Sequence, residues 1–569
     1  MAASPERQAN RRIRLLLVGL VLVFAVVLGR AVQLQVVEAN RFAQMAERQH
    51  RETQETPAGR GIIFDRTGVQ LAIGRSTTTV FADPQQIGNP RAVALAASRI
   101  LGVDGNELYP QLLDRSSRFV YVQRFADPEK AAKLEQKGLV GLGFYPEERR
   151  TYPQGRVGAQ VIGYAGVDNK GLTGLELQYD KRLSGRPGSR TIVRDPFGRA
   201  INVISSLPEQ EGADLFTTLD HTIQANAEAV LRDTVEKWGA KDATAVVLDP
   251  RTGEVLAMAQ APGYDANNSD RVPQDRQRNR AVTDTFEPGS TFKLVPVTAV
   301  LTERLVESTT PFTLPYSIQV ADRVIHDSHE RSTQTFTVAE ILEQSSNVGA
   351  VTLAQKLGEK GLAEWVDRFG FGRPTGIDFP GESPGLVLPL EQWSGSTIGN
   401  VPIGQGIAVT PIQLASVYAA IANGGLWMQP RLVSRIGSRP APRPERRRIA
   451  TPEVARQVKS MLTDVVELGT GGSAAIPGYT VAGKTGTAQK PDETGGYSST
   501  RYVASFVGMV PATNPRLVVL VSVDEPGGAI WGGVVAAPAF AEIARFALQY
   551  LEVPPDAADA AERTTLSAG

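Results

Sequence analysis

The sequence predicts a mixed α/β domain, preceded by an irregular β-rich module and one N-terminal transmembrane helix. Three observations carry that prediction. An uncharged apolar run, LLLVGLVLVFAVVLG, extends from Leu15 to Gly29. From Thr56 to about Leu215, short β-rich runs such as GIIFD and TTTVFAD alternate with Gly and Pro punctuation. From about Asp220 onward, helical apolar spacing alternates with strand-like runs.

The elements follow in chain order. A spanning helix needs about 20 mostly apolar residues. Residues 13–37 reach that length if Arg30 snorkels toward the headgroups and AVQLQVV continues the helix to Val37. Arg7, Arg11, Arg12 and Arg14 outnumber Glu6 ahead of the run, so residues 1–12 read as a cytoplasmic tail and the remaining chain as exported. The expected location is the cytoplasmic (inner) membrane, crossed once, with the body on its periplasmic or extracytoplasmic side. A cleaved signal peptide is the competing reading, and Val37-Glu38-Ala39 is a poor cleavage site for it. Residues 38–55 are polar and helix-permissive and read as a stalk. They open an N-terminal module at 38–215 with helices at Ala92–Leu101 and Pro128–Lys137. A second domain is expected at 216–552. Within it, His221–Trp238 is a helix, and Thr244–Leu248 and Val255–Ala259 are strands joined by the turn-rich DPRTGE. Further helices are expected at 290–304, 337–358 and 410–423, then three strands (TVAGKTGTAQ, YVASFVGMV, RLVVLVSVD) and a closing helix at 536–551. GSRPAPRPERRR (437–448) reads as a surface loop and 553–569 as a disordered tail.

Composition narrows the function. Sixty basic residues balance sixty acidic ones, which disfavours a polyanion or nucleic-acid binder. There is no cysteine and only four histidines, so thiolate chemistry and a histidine-rich metal centre are excluded. No cofactor motif stands out.

Three short motifs carry the chemistry, each occurring once and in a fixed order. They are Ser290-Thr291-Phe292-Lys293, Ser345-Ser346-Asn347 and Lys484-Thr485-Gly486. Ser290 follows Glu287-Pro288-Gly289 and is expected at a helix N-terminus, where free amides favour developing negative charge. Lys293 lies one turn on, and in a desolvated cleft its lowered pKa suits it to accept the serine proton. Ser345 and Asn347 point into one cleft, one to relay a proton and the other to bind a substrate carbonyl. On an edge strand, Lys484 supplies charge and Thr485 and Thr487 supply hydroxyls. Gly486 leaves room for a substrate backbone to add alongside. The amides of Thr487 and Ser290 would form an oxyanion hole. Singly, each motif has an ordinary reading as a surface pair, a cap or a strand edge; their conjunction is a known catalytic signature.

Other residues read more plainly. His326-Asp327-Ser328-His329 is half a metal site or, in the favoured reading, a surface loop. Arg60, Gly61, Asp65 and Gly68 read as structural turn elements, with Asp65 and Arg66 pairing inside the module or facing a partner.

Together with RGIIFDRTGVQLA (60–72), GLTGLELQYDKRLSG (171–185), VVLDPRTGEVLAMA (246–259), GQGIAVTPIQLA (404–415) and WGGVVAAPAFAEI (531–543), the motifs make the chain resemble a class B penicillin-binding protein. GLELQYDKRLSG followed by RDPFGRAI (194–201) is most similar to the division-specific FtsI branch, with the elongation-specific branch as the alternative. The resemblance implies a pedestal, or dimerisation-like, module carrying a penicillin-binding transpeptidase domain with an antiparallel sheet. It implies that Ser290 attacks the penultimate D-alanine of a stem peptide and that Lys293 takes its proton. Ser345 and Lys484 would pass a proton to the leaving amine, Asn347 would bind the stem-peptide amide, and Thr485 and Thr487 would bind the carboxylate. The implied partners are peptidoglycan stem peptides, β-lactams, an FtsW-type polytopic glycosyltransferase and other divisome membrane proteins. Arg30, Gln33 and Gln35 are candidates for the glycosyltransferase contact. A D,D-carboxypeptidase, a serine β-lactamase and a catalytically dead scaffold or sensor are the competing functions. A stand-alone hydrolase would have no use for an anchored module of this size.

Overall fold

The computed structural model describes residues 5–38, 51–194, 200–492 and 496–557. Contacts divide the chain into two compact units. One comprises residues 1–59 and 185–211; the other comprises residues 60–184 and 212–569.

In the first unit an α-helix, Pro5–Val32, continues into a π-helical turn, Gln33–Val37. Ala9–Val37 is long and apolar enough to cross a membrane. Arg30 Nη1 donates to Gln33 Oε1 at 2.9 Å, and Gln33 Nε2 to Glu38 Oε1 at 3.1 Å. Arg30 is therefore satisfied along the helix surface, and snorkelling is not its only recourse. The stalk expected at 38–55 lies mostly outside the described residues, but its end is not helical. Arg51–Thr56 is a strand, paired antiparallel with Gly188–Arg194, which in turn pairs with Ala200–Leu207. The pairing partner lies more than a hundred residues away, beyond the reach of any local pattern. The FtsI-like passage 194–201 falls largely outside the described residues.

In the second unit, residues 60–184 form an irregular β-rich region. Helices Pro90–Leu101 and Pro128–Glu135 begin at Asn89 and Asp127 caps, each followed by proline at the first helical position. A further helix, Gly105–Leu113, was not foreseen, because Pro110 lies inside it. The sequence boundary at 215/216 cuts through a strand. Leu215–Thr217 pairs with Ile63–Phe64 on one side and with Val433–Ile436 on the other, so the β-rich region and the catalytic region share a sheet.

Arg60 is no turn element. Its side chain and that of Glu176 are both fully buried, joined at 2.6 Å, and Arg150 Nε holds the other Glu176 oxygen at 2.6 Å. Arg60 also reaches Asp180 at 2.7 Å. GLTGLELQYDKRLSG thus folds into two short helices, Gly174–Gln178 and Asp180–Leu183, that present acids to Arg60. Asp65 pairs inward with His221 Nδ1 at 2.7 Å, and Arg66 lies 3.8 Å from Asp220.

The catalytic region is layered. Helix α1 (His221–Trp238) starts at the Asp220 cap and stops at Gly239, whose φ is +55°. Strands β1 (Asp242–Leu248) and β2 (Val255–Ala261) form the expected hairpin. Helices α2 (Leu294–Thr302), α3 (Asn347–Phe369) and α4 (Pro411–Ala422) follow. The helix expected over 337–358 breaks at Gln344–Ser346, separating Val338–Glu343 from α3. Strands β3 (Ala482–Pro491), β4 (Tyr497–Val510) and β5 (Leu517–Asp524) complete a five-stranded, wholly antiparallel sheet in the order β2-β1-β5-β4-β3. Helix α5 (Gly532–Tyr550) closes the fold.

Alternate residues of β1 feed two cores. Val246 and Leu248 join a cluster with α2, α3 and α4, while Ala245 and Val247 join one with α1 and α5. With helices on both faces, every residue of β1 and β2 is buried. Of the tail expected from 553, the described part is packed: Val553 is buried, and Asp556 accepts from Thr480 N at 2.8 Å. Residues 558–569 lie outside the described residues. The 437–448 loop carries short strands at Arg439–Pro440 and Arg446–Arg448.

Glu176→Gln leaves buried Arg150 facing a neutral amide and Arg60 with Asp180 as its one remaining acid. The variant is expected to lose about 3–5 kcal/mol of stability, read as a lower urea midpoint.

Candidate active site

The nucleophile turn is built by backbone fit. Gly289 has φ +56°, and a Cβ there would lie 2.9 Å from Thr487 O. Gly404 packs tighter still: a Cβ on it would lie 2.1 Å from Gly289 O. Residues Gly289–Lys293 form a 3-10 turn leading into α2, so Ser290 sits one turn ahead of the α-helix and not at its N-terminus. Thr291 Oγ1 donates to Pro288 O at 2.7 Å, and Tyr418 Oη to Thr291 O at 2.8 Å. Phe292 packs its ring 5.1 Å from that of Phe371. Within 289–293 only Ser290 reaches solvent; the other four residues are buried.

Lys293 is fully buried. Its Nζ donates to Ser345 O at 2.5 Å, Asn347 Oδ1 at 2.7 Å and Ser345 Oγ at 3.2 Å. Burial pushes this amine well below the usual lysine range; the nearby Lys484 adds to the shift and Asp327 opposes it. Lys484 is also fully buried and is pushed by burial to about 7. Among the described residues its Nζ finds only Thr485, at 3.3 Å from Oγ1 and 3.5 Å from O.

Ser345 occupies the break between two helices with φ +57°, an uncommon conformation for a residue with a side chain. That turn aims both its carbonyl and its hydroxyl at Lys293. Ser346 caps α3 through Gly349 N at 3.0 Å. Asn347 accepts from Lys293 and donates Nδ2 to His326 O at 2.9 Å, which leaves one amide hydrogen for a substrate carbonyl.

The loop is fixed by a residue that the sequence reading left in a surface loop. Asp327 is buried and accepts from Ser346 Oγ at 3.0 Å, Val348 N at 3.1 Å and Arg331 Nη2 at 2.6 Å. The flanking histidines go separate ways: His326 stacks on Tyr316, and His329 meets Trp531 edge-on at 6.1 Å. The signal for Asp327 was an acid between two histidines, which points to a metal as readily as to a brace.

Strand β3 is the sheet edge, as expected. Thr485 and Thr487 share a face. Thr485 Oγ1 lies 2.9 Å from Thr470 Oγ1, and Thr487 Oγ1 accepts from Gly532 N at 3.1 Å. Gly486 is also demanded by the fold itself. A Cβ there would lie 2.3 Å from Ser505 Oγ and 3.0 Å from Pro288 O, so this glycine lets the nucleophile turn close on the strand.

The fold thus ties Lys293 to Ser345 and Asn347 and places Lys484 close enough to repel it. Among the described residues, Ser290 Oγ hydrogen-bonds to neither lysine, and Ser345 does not bond to Lys484. The direct serine–lysine and serine–lysine relays drawn from the sequence are therefore not formed in this state.

Residues 243–545 match the family described as the penicillin binding protein transpeptidase domain, and residues 55–217 match the penicillin-binding protein dimerisation domain. The chain is 34% identical to the peptidoglycan D,D-transpeptidase FtsI of Escherichia coli K12, over 97% of this chain and 95% of that one. It is 33% identical to the stage V sporulation protein D of Bacillus subtilis, over 98% and 88%. A crystal structure of penicillin-binding protein 3 from Mycobacterium tuberculosis complexed with aztreonam superposes with TM-score 0.70 at 32% identity, over 89% of this chain and 98% of that one.

A lysine whose folded pKa lies near 7 against an unfolded value of 10.5 binds fewer protons folded than unfolded between those limits. Stability therefore rises with pH across that window, by about 1.4 kcal/mol per pH unit for each such group. Lys484→Met is expected to flatten the rise, and the lost repulsion lets Lys293 protonate more readily. Urea unfolding at pH 7, 8 and 9 reads both effects; an unchanged slope would mean that Lys484 stays charged.

Proposed function

The chain belongs to the class B penicillin-binding proteins, the peptidoglycan D,D-transpeptidases, and from that premise we propose which residues do the work and when. Ser290 Oγ attacks the carbonyl of the penultimate D-alanine in a donor stem peptide. Lys293, its amine neutral through burial, takes the serine proton. The amides of Ser290 and Thr487 hold the oxyanion. Ser345 and Lys484 return a proton to the leaving D-alanine amine. Asn347 receives the stem-peptide amide, and Thr485 and Thr487 hold the terminal carboxylate. An amine from a neighbouring stem peptide then resolves the ester into a cross-link. A β-lactam enters the same first step and stalls there.

One observation carries this reading. The only solvent-reaching residue of the 289–293 turn lies three positions before a buried amine that is bonded to both Ser345 and Asn347. The missing Ser290–Lys293 bond fits a free state, in which catalytic hydrogen bonds are often long and tighten only with substrate.

The setting we propose is septal wall synthesis, with the 9–37 helix as a single-pass anchor whose N-terminus is cytoplasmic. The FtsI likeness over nearly the whole chain favours it; the likeness to a sporulation protein keeps another morphogenetic role in view. The polar chain Arg30–Gln33–Glu38 near the outer end of the helix suits contact with a polytopic glycosyltransferase of the FtsW type or another divisome membrane protein.

Full-length protein in detergent, treated with a fluorescent penicillin, is expected to carry a stable label that Ser290→Ala abolishes. Lys293→Ala is expected to slow acylation by roughly 10²–10⁴-fold. Transient label with rapid drug turnover would indicate a hydrolase. Depletion in the host should give filaments; rounded cells would assign the enzyme to elongation.

A further inference from the structure

The arginine-rich stretch 437–448 is absorbed by no part of the reaction. Five of its twelve residues are arginine. Strand Arg446–Arg448 pairs with Leu426–Met428, setting Arg447 opposite Trp427. Period-2 alternation sends Arg446 and Arg448 to solvent and Arg447 inward, half-buried, its guanidinium 5.2 Å from the centre of the Trp427 ring.

Arg447 borders a cavity of about 220 Å³, walled also by Phe369, Phe371, Arg373, Gln413 and Trp427. Among the described residues, the Arg447 side chain makes no hydrogen bond or ion pair, and its Nε is buried without a partner. Arg373 is held at the same wall, with Nη2 donating to Asp367 O at 2.7 Å and Nη1 lying 3.6 Å from the Asp367 carboxylate. The two guanidiniums converge on Gly370. A Cβ built there would lie 2.9 Å from Arg447 Nη2 and 4.0 Å from Arg373 Nε. Burial, and then the charge of Arg373, push Arg447 below the usual arginine range, against the opposing pull of the more distant Glu445 and Asp367 carboxylates.

The cavity is separate from the active site. No residue of the three catalytic motifs lines it. It lies behind the nucleophile turn: Phe371 is a wall on one side and packs against Phe292 on the other.

A guanidinium presents its donors in a planar fork that matches the oxygens of a carboxylate or phosphate. We propose that this cavity is a second ligand site, in which Arg447 and Arg373 hold the oxyanion head of a small organic acid or organic phosphate over an aromatic floor. The volume exceeds what a bare oxyanion fills and takes a head group with a short organic body. Glu445, also at the wall and close enough to act on Arg447, would oppose the anion and limit its affinity.

The test uses the full-length protein in detergent, titrated at constant ionic strength with inorganic phosphate in one arm and acetate in the other, by isothermal calorimetry. Saturable binding in roughly the millimolar range is expected for at least one probe. Whichever probe binds identifies the head group. Arg447→Gln and Arg373→Gln are each expected to weaken binding by about tenfold or more. Glu445→Gln is expected to tighten it about threefold, a gain that no folding defect produces. The proposal is overturned if neither probe saturates up to about 50 mM, or if Arg447→Gln binds within about twofold of wild type.

Discussion

Two lysine side chains lie wholly inside this protein with no carboxylate at ion-pair distance among the described residues, and the catalytic region is arranged around keeping them there. A buried ammonium is costly, and the cheaper state is the neutral amine. Lys293 escapes water by bonding to neutral oxygens, and those oxygens must be held in place. Ser345 takes a left-handed conformation to offer two of them. Asp327 then fastens the loop by accepting from Ser346, Val348 and Arg331 at once. Charge is thus supplied one layer out from the amine, where it orients the loop without pairing the lysine.

The same logic runs through the sheet. β1, buried on both faces, is the common wall of two cores, and the edge strand β3 is where the nucleophile turn can close. Helix α5 reaches that strand from the far side, through Gly532 N on Thr487. The two hydroxyls we assign to the substrate carboxylate are therefore held by the backbone of the closing helix and by Thr470.

Much of this was legible in the residues. The helices with strong caps, such as His221–Trp238 between Asp220 and Gly239, were readable because side chain and backbone signals agree locally. So were the continuous apolar strands of the sheet. The motif residues were readable as chemistry, and the structure brings Ser345 and Asn347 within hydrogen-bond distance of Lys293. What escaped was set by distant partners. Arg51–Thr56 is a strand only because Gly188–Arg194 lies beside it. Arg60 looks like a turn residue until Glu176 and Asp180 arrive. Leu215–Thr217 joins two regions that a composition shift seems to separate. Asp327 offered only an ambiguous sign, since an acid among histidines is equally a ligand set.

Three glycines hold the turn against its surroundings: Gly289 and Gly404 lie against backbone, and Gly486 against the Ser505 hydroxyl and the Pro288 carbonyl. None of the three can acquire a side chain without displacing the turn that carries Ser290. A substitution at any of the three is expected to shift the turn that presents Ser290. Exposed side chains such as Trp531 and His329 meet no such backbone and can change without moving the turn. The mutational landscape of the site has a rigid floor of bare backbone and a permissive rim.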